Sequence, residues 1–125
     1  MNGNSTKSIK VGVLIPSTSR GITNCVDYRT TYFYSVFLKS FIKTIDKHIN
    51  YIIYLVVDDD DPIYGNAIQR EKLETFITLI KNIDLQVLSS EGISKGHVTA
   101  MWNRAFDKAY RDNCEYFYQC GDAQP

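Results

Sequence analysis

The residues best suited to chemistry in this sequence are four consecutive carboxylates, Asp58–Asp61, which end an apolar run. Adjacent carboxylates repel one another unless a cation or hydrogen-bond donors lie nearby. A carboxylate also accepts hydrogen bonds from a nucleobase or a ribose. Asp58 or Asp59, nearest the apolar run, is therefore predicted to contact a ligand. Asp60 and Asp61 are predicted instead to cap the turn and the helix that follow.

Two polar segments contain groups that suit an anion. Residues 17–21 (Ser-Thr-Ser-Arg-Gly) offer hydroxyls and one guanidinium, but they lack the spacing and the lysine of a P-loop, and such a segment is often only a loop. Residues 94–97 (Ser-Lys-Gly-His) precede a predicted helix, whose first N–H groups favour an anion, or they are an ordinary helix start. His97 is predicted to be an exposed loop residue rather than a metal ligand, because no second histidine is close in sequence.

Three more residues are candidates because of their place in the predicted elements. Asn103 lies inside a predicted helix although asparagine is a poor helix former, and the adjacent Arg104 is predicted to be a surface charge or a diphosphate ligand. Asp122 follows Gly121 at the end of an apolar run and is the clearest candidate for contact with a metal or a ribose. Mg²⁺ and Mn²⁺ take oxygen ligands, but one carboxylate alone is a weak site.

Apolar runs and helical periodicity predict that strands and helices alternate. Strands are predicted at Ile9–Pro16, Tyr51–Val57, Leu85–Ser89 and Glu115–Cys120. Helices are predicted at Thr31–Asn50, where large apolar residues recur every four positions, at Asn66–Lys81 and at Val98–Arg111. This order predicts an α/β fold with a mostly parallel sheet and helices on both faces. Because ligands bind at the carboxyl ends of such strands, the polar residues are expected to gather there.

Composition favours one globular domain, residues 9–125, after a flexible N-terminus of residues 1–8. Fourteen Lys and Arg balance fourteen Asp and Glu, which argues against nucleic acid as a partner because such binding needs a basic surplus. No apolar run is long enough to span a membrane, and the first residues lack a secretory signal. The cysteines at positions 25, 114 and 120 lack metal-ligand spacing and are expected to be reduced thiols of a cytoplasmic protein.

Four segments, in order, resemble the nucleotide-sugar-binding half of a GT-A fold glycosyltransferase of the family 2 type. VGVLIPSTSR is similar to that family's first strand, and YLVVDDDDP is similar to its second strand, whose final Asp meets the uracil base. EGISKGHVTAMWNRAFDKAY is similar to its Gly…Asn-Arg helix, and EYFYQCGDA to the strand before its Asp-x-Asp motif. The shorter strings IPSTSRG, DDDDPIY, KGHVTAMWNRAF and CGD most resemble glycosyltransferases of large DNA viruses. The resemblance covers the chain from Ile9 onward and implies a Rossmann-like nucleotide-binding half.

The resemblance implies a UDP-sugar donor, a Mn²⁺ or Mg²⁺ cofactor and a glycan or protein hydroxyl as acceptor. In a viral protein the site of action would be the host cytoplasm. It implies that Asp58 or Asp59 accepts a hydrogen bond from uracil and that Asp122 begins the metal motif. The residues implied to form the nucleotide site are Pro16, Ser17, Thr18, Arg20, Asp58, Asp59, Lys95, His97, Asn103, Arg104 and Asp122.

The sequence departs from the family pattern in two places. The metal motif reads Asp122-Ala123-Gln124, or Gly121-Asp122-Ala123 in the other register, so the second carboxylate is missing. The family's acceptor-binding half, which supplies the catalytic base of an inverting enzyme, has no counterpart in this sequence. The chain is therefore expected to be a donor-binding half that is incomplete for catalysis alone. The alternative is a non-catalytic nucleotide-binding module of the same fold.

The acidic run also resembles the acidic pocket of a receiver domain. That family places its acidic pair after the first strand, a phospho-acceptor Asp after the third and a Lys after the fifth. Here the run follows the second predicted strand, and the third ends in Ser89-Ser90-Glu91. A receiver-like regulator is therefore the weaker resemblance.

Restoring a second carboxylate beside Asp122 is expected to strengthen Mn²⁺-dependent binding of UDP. Ala123→Asp or Gln124→Asp should gain about 1–2 kcal/mol, the size of one charge-assisted contact. Calorimetric titration of UDP with and without Mn²⁺ measures the gain, and the substitution that helps identifies the register of the motif. If neither variant gains Mn²⁺-dependent affinity, the metal role of Asp122 is wrong.

Overall fold

A computed structural model describes residues 9–19, 26–94 and 97–121, in which four strands alternate with helices. The strands are β1 (Ile9–Pro16), β2 (Ile49–Val57), β3 (Ile83–Ser89) and β4 (Tyr116–Gln119). The helices are α1 (Lys39–Ile42), α2 (Ala67–Thr78) and α3 (Val98–Arg111). A 3₁₀ turn (Tyr28–Thr30) and a π-helical segment (Phe33–Leu38) precede α1. The predicted α/β class is confirmed, whereas the predicted flexible N-terminus, residues 1–8, lies outside the described residues.

All strand pairs are parallel, and the sheet has the order β3-β2-β1-β4. Central β1 pairs with β2 from Ile9 opposite Ile49, and with β4 from Val11 opposite Tyr116. The chain builds the sheet outward from β1 to β3 and then returns to the other side of β1. The connections therefore diverge between β1 and β4, which is a topological switch point. A receiver sheet has the order 2-1-3-4-5, so this order does not support the receiver resemblance.

Different helices cover the two faces of the sheet, as predicted. On one face the π-helical segment and α2 bury a cluster that includes Val13, Ile15, Phe33, Leu73 and Ile77. On the other face α3 packs Ala105 and Ala109 against Leu14, Ile52 and Tyr54. Burial on both faces explains why β1 and β2 read as continuous apolar runs.

Glycine at position 12 lets α3 approach the sheet closely. A Cβ atom at Gly12 would lie 3.0 Å from Ala109 Cβ and 3.2 Å from Cys114 Sγ. Both neighbours are buried, so neither has room to move aside. Gly12 thus sets the spacing between β1 and α3.

The first predicted helix, Thr31–Asn50, is wrong in its length and in its geometry. A spacing of four exceeds the 3.6 residues of an α-helical turn, and the π-helical segment accommodates this longer repeat. It stacks Phe37 between Phe33 and Phe41, with ring centroids 5.6 Å and 5.1 Å apart. The helix ends at Ile42, and pairing with β1 draws residues 49 and 50 into β2.

The other boundaries differ from prediction by a few residues. The ranges predicted for β1 and α3 are confirmed, and Asn66 caps α2 by accepting hydrogen bonds from Ile68 N and Gln69 N. The end of α2, predicted at Lys81, lies at Thr78, because the chain turns before Asn82, whose φ is 70°. Ladder pairing with β2 extends β3 back to residue 83.

The described residues test part of two predictions, the absence of a membrane span and the reduced state of the cysteines. In these ranges no helix combines the length and the apolar character that crossing a bilayer requires. Cys114 is buried and Cys120 is half-buried, and neither forms a disulfide within the described part of the chain. Cys25 lies outside it.

A polar network around Asp112 ties the end of α3 to the sheet. Its carboxylate accepts hydrogen bonds from Tyr54 Oη (2.7 Å), Gln86 Nε2 (3.1 Å) and Lys108 Nζ (2.8 Å). Lys10 Nζ donates to the main-chain oxygen of Asp112 over 2.6 Å. The Lys108 ammonium lowers the pKa of Asp112 against the opposing effect of burial, and Tyr54 and Gln86 add to the lowering. Burial and the bond to Asp112 raise the pKa of Tyr54, so the phenol keeps its proton and donates it.

Asp112→Asn is expected to lower the free energy of unfolding at neutral pH by about 1–3 kcal/mol, because half-buried donors lose a charged acceptor. The pKa of Asp112 is lower in the folded chain than its ordinary value of 3.8. Its contribution is therefore complete above that value and is lost as the pH falls through the folded pKa. Urea unfolding at several pH values should show the difference from wild type shrinking below about pH 4. A difference that does not change with pH would contradict the role given to this carboxylate.

Candidate functional site

The loops that follow β1, β2 and β3 begin side by side at the carboxyl edge of the sheet. Ser17 N donates to Val56 O over 3.0 Å, and Ser90 N donates to Val57 O over 2.9 Å. Each loop therefore leaves the sheet from a backbone position that the neighbouring strand fixes. The predicted gathering of polar residues at this edge is confirmed for the loops after β1 and β2, whereas Asp122, predicted to join them after β4, lies outside the described residues.

Asp61 joins the first two of these loops. It is 2% exposed and accepts five hydrogen bonds: from Ser19 N and Oγ, from Thr18 Oγ1, from Ile63 N and from Tyr64 N. Burial acts to raise the pKa of Asp61, but the bonds from Ser19, Tyr64 and Ile63 outweigh it, and the pKa is lowered. The prediction that Asp61 caps the following turn is confirmed, but the prediction that Asp60 and Asp61 cap the helix is wrong, since Asn66 caps α2. The Asp61 carboxylate also holds the loop after β1.

Two more contacts stiffen the residues around Asp61. The buried hydroxyls of Ser17 and Tyr64 lie 2.8 Å apart and share a hydrogen bond, and Arg70 Nε donates to Tyr64 O over 2.9 Å. A Cβ atom at Gly65 would lie 2.2 Å from the main-chain oxygen of Asp59, so only glycine fits this close turn. Residues 17–19 and 58–65 thus form one connected structure, the edge platform.

Asp58 and Asp59 face the end of β3 from the edge platform. Ser90 Oγ donates a short hydrogen bond to Asp58 Oδ1, and Ser89 Oγ donates to Asp59 Oδ2 over 2.8 Å. Asp58 is half-buried and Asp59 is exposed. The prediction that one of them contacts a ligand stays a prediction, and both already accept hydroxyl donors from β3 and the loop after it.

Ser89 and Ser90 belong to the site, although the sequence reasoning missed them. The parallel register places Ser89 opposite Val57, directly before the acidic run. The sequence did show two serines at the end of the third predicted strand. It did not show that this strand pairs with β2, which is what brings the two hydroxyls to Asp58 and Asp59.

Arg104 reaches from α3 to the loop after β3. Its Nη1 donates to the main-chain oxygens of Ser89 and Glu91, each over 2.7 Å. The structure therefore gives this guanidinium two main-chain partners, and the implied contact with a diphosphate stays a prediction. Arg104 is half-buried.

His97, the residue before α3, and Asn103, within α3, do not share the contacts that Arg104 makes. Both are exposed, and together with the first turn of the helix they line a shallow depression of about 530 Å³. His97 is the N-cap residue of α3, as expected for an exposed residue before the helix. The structure therefore does not bring Asn103 to the carboxylates of the edge platform.

The N-terminus of α3 lies at the same edge of the sheet, because the helix follows the carboxyl end of β3 and returns to pair β4 with β1. The helix has fourteen residues and no acidic residue in its first turn. Unsatisfied N–H groups at such an end give it a partial positive charge. This end of α3 is therefore electrostatically compatible with a phosphate.

Several predicted site residues fall outside the part of the chain that the structure describes. Arg20, Lys95 and Asp122 lie there, whereas Pro16 is the half-buried last residue of β1. Within residues 9–19, 26–94 and 97–121, no three His, Cys, Asp or Glu side chains form a group that could hold a metal ion. The metal prediction therefore rests on Asp122 alone.

Neither a protein-family model, nor a curated protein, nor a solved structure matches this chain. The α/β fold with its parallel sheet therefore stands on the structure itself. The glycosyltransferase resemblance stays a prediction from the sequence.

Asp61→Asn is expected to destabilise the fold by about 2–4 kcal/mol, because the amide turns one buried acceptor into a donor that faces backbone N–H groups. Denaturant unfolding at neutral pH measures this cost. Asp84→Asn, at an exposed position near the start of β3, is the matched control and should change stability by less than about 0.5 kcal/mol. Equal stability of the two variants would show that Asp61 does not hold the loops together.

Proposed function

We propose that this chain binds a nucleoside diphosphate sugar, in particular a UDP-sugar, as the donor-binding part of a GT-A glycosyltransferase. The observation that carries the proposal is the position of Asp58 and Asp59. They lie at the carboxyl edge of a parallel sheet with the order β3-β2-β1-β4, where the hydroxyls of Ser89 and Ser90 at the end of β3 donate hydrogen bonds to them. This order matches four adjacent strands, 3-2-1-4, of the Rossmann-like doubly wound sheet, in which ligands bind at the switch point.

The acidic pair supports recognition of a base. A carboxylate held by a hydroxyl donor is a fixed acceptor for the imide N–H of uracil, and Ser90 holds Asp58 in this way. The edge platform adds rigidity, because Asp61 fixes the loop from Ser17 to Ser19 beside the pair. A rigid acceptor loses little entropy when the ligand binds, which favours affinity.

The N-terminal end of α3 supports recognition of the diphosphate. Its first turn has no acidic residue, and its N–H groups are directed toward the carboxyl edge. Arg20 and Lys95, the basic residues that the resemblance implies for the nucleotide site, lie outside the described residues.

The proposed reaction is attack by an acceptor hydroxyl on the anomeric carbon of the donor sugar, with release of the nucleoside diphosphate. A bound Mn²⁺ or Mg²⁺, with Asp122 as its protein ligand, would neutralise charge on that leaving group. The chain's own part in the reaction is to bind and orient the donor. The missing second carboxylate after Asp122 favours the second candidate, a nucleotide-binding module without catalysis.

Calorimetric titration with UDP, GDP, CDP and ADP, each with and without Mn²⁺, tests the proposal. UDP is expected to bind most tightly, and Asp58→Asn or Asp59→Asn should weaken it by about 1.5–3 kcal/mol, the cost of a lost charged hydrogen bond. In Kd this is roughly a 10- to 150-fold increase.

Asp84→Asn is the control, because this exposed carboxylate lies near the opposite end of β3. Its affinity for UDP should equal that of wild type. Absence of UDP binding by the wild-type chain would refute the proposed function. Wild-type affinity in both acidic-pair variants would refute base recognition by Asp58 and Asp59.

A further inference from the structure

We infer that Arg104 is a positioning residue that orients the acidic pair, Asp58 and Asp59, through the loop after β3, and that it is not a ligand of the diphosphate. The inference rests on the proposed function, because it concerns how the same site recognises its nucleotide. It differs from the role that the sequence resemblance implies for this arginine.

The loop after β3 is a defined turn rather than an irregular segment. Ile93 N donates to Ser90 O over 2.9 Å, which closes a four-residue turn. Gly92 is the third residue of this turn and has a φ of 83°, a value that favours glycine. The turn therefore presents its main-chain carbonyls in a fixed arrangement.

Arg104 binds this turn on both sides of Ser90. One nitrogen, Nη1, donates to Ser89 O and to Glu91 O, each over 2.7 Å. These are short bonds from a charged donor, of the kind that contributes most to holding a segment in place. The two hydrogens of Nη1 are both used by these carbonyls.

The hydroxyls that hold the acidic pair belong to Ser90, the first residue of this turn, and to Ser89, the last residue of β3. Ser90 is 7% exposed and donates to Asp58, while Ser89 donates to Asp59 and accepts from Glu91 N over 3.0 Å. A chain of hydrogen bonds thus runs from α3 through the turn to both carboxylates. Loss of the guanidinium would release the turn and with it the orientation of the pair.

Uridine and UDP distinguish positioning from direct contact with phosphate. An arginine that binds the diphosphate contributes to the affinity of UDP and not to that of uridine. An arginine that orients the base-binding carboxylates contributes to both. Arg104→Met, which keeps the apolar stem and removes the donors, should weaken uridine and UDP by the same factor, about tenfold.

Three further variants complete this experiment. Arg104→Lys should recover most of the affinity for both ligands, because one ammonium can donate to two carbonyls. Ser90→Ala should weaken both ligands, and Arg104→Met should cost less in that background than in wild type. Arg111→Met removes an exposed cation at the other end of α3 and should leave both affinities unchanged. A loss confined to UDP in Arg104→Met, or full additivity with Ser90→Ala, would overturn the inference.

A measurement without nucleotide separates this inference from the proposed function. The side-chain carboxyl ¹³C signals of Asp58 and Asp59 should shift in Arg104→Met in the same direction as in Ser90→Ala and Ser89→Ala. Unmoved signals would overturn the positioning role even if UDP binds. If the wild-type chain binds neither uridine nor UDP, the proposed function fails, while these signals still decide whether Arg104 orients the pair.

Discussion

The buried carboxylate of Asp61 is the interaction on which the rest of the carboxyl edge depends. Two loops that are distant in sequence, residues 17–19 and 58–65, meet at its two oxygens. A buried ionised group is costly unless donors surround it, and the main-chain N–H groups of both loops supply that compensation. Among the described residues, Asp61 is the one carboxylate that is fully buried. The position of Asp58 and Asp59 follows from this junction, because they begin the second loop.

A second carboxylate, that of Asp112, joins separate elements at the opposite edge of the sheet. Asp112 follows α3 and gathers donors from three elements, through Tyr54, Gln86 and Lys108. Both carboxylates have lowered pKa values, so the folded state is favoured at neutral pH and loses both contributions in acid. The apolar clusters on the two faces supply the bulk of the stability. The carboxylates determine how the helix and the loops are oriented on that core.

The strand order decides which loops are neighbours at the carboxyl edge. Because β1 lies between β2 and β4, the loop after β1 lies beside the acidic pair on one side and beside the end of β4 on the other. α3 covers one face of the sheet, and its N-terminal end lies at the carboxyl edge. From this helix Arg104 reaches the turn after β3. The acidic pair and the N-terminal end of α3 therefore lie along one edge of the sheet. Such an arrangement suits a nucleotide, whose base and phosphates are both polar and lie several ångströms apart.

Local pattern in the sequence determined the alternation of strands and helices, the parallel sheet, the ranges of β1 and α3, and the capping role of Asp61, because periodicity and turn residues act over a few neighbours. Tertiary structure decided the rest. Pairing with β1 drew Ile49 into β2 and shortened the first helix, and a spacing of four became a π-helical turn. The contacts of Arg104 with Ser89 and of Ser90 with Asp58 join residues 15 and 32 positions apart. Such contacts depend on which strands are neighbours, a property that no local stretch of residues contains.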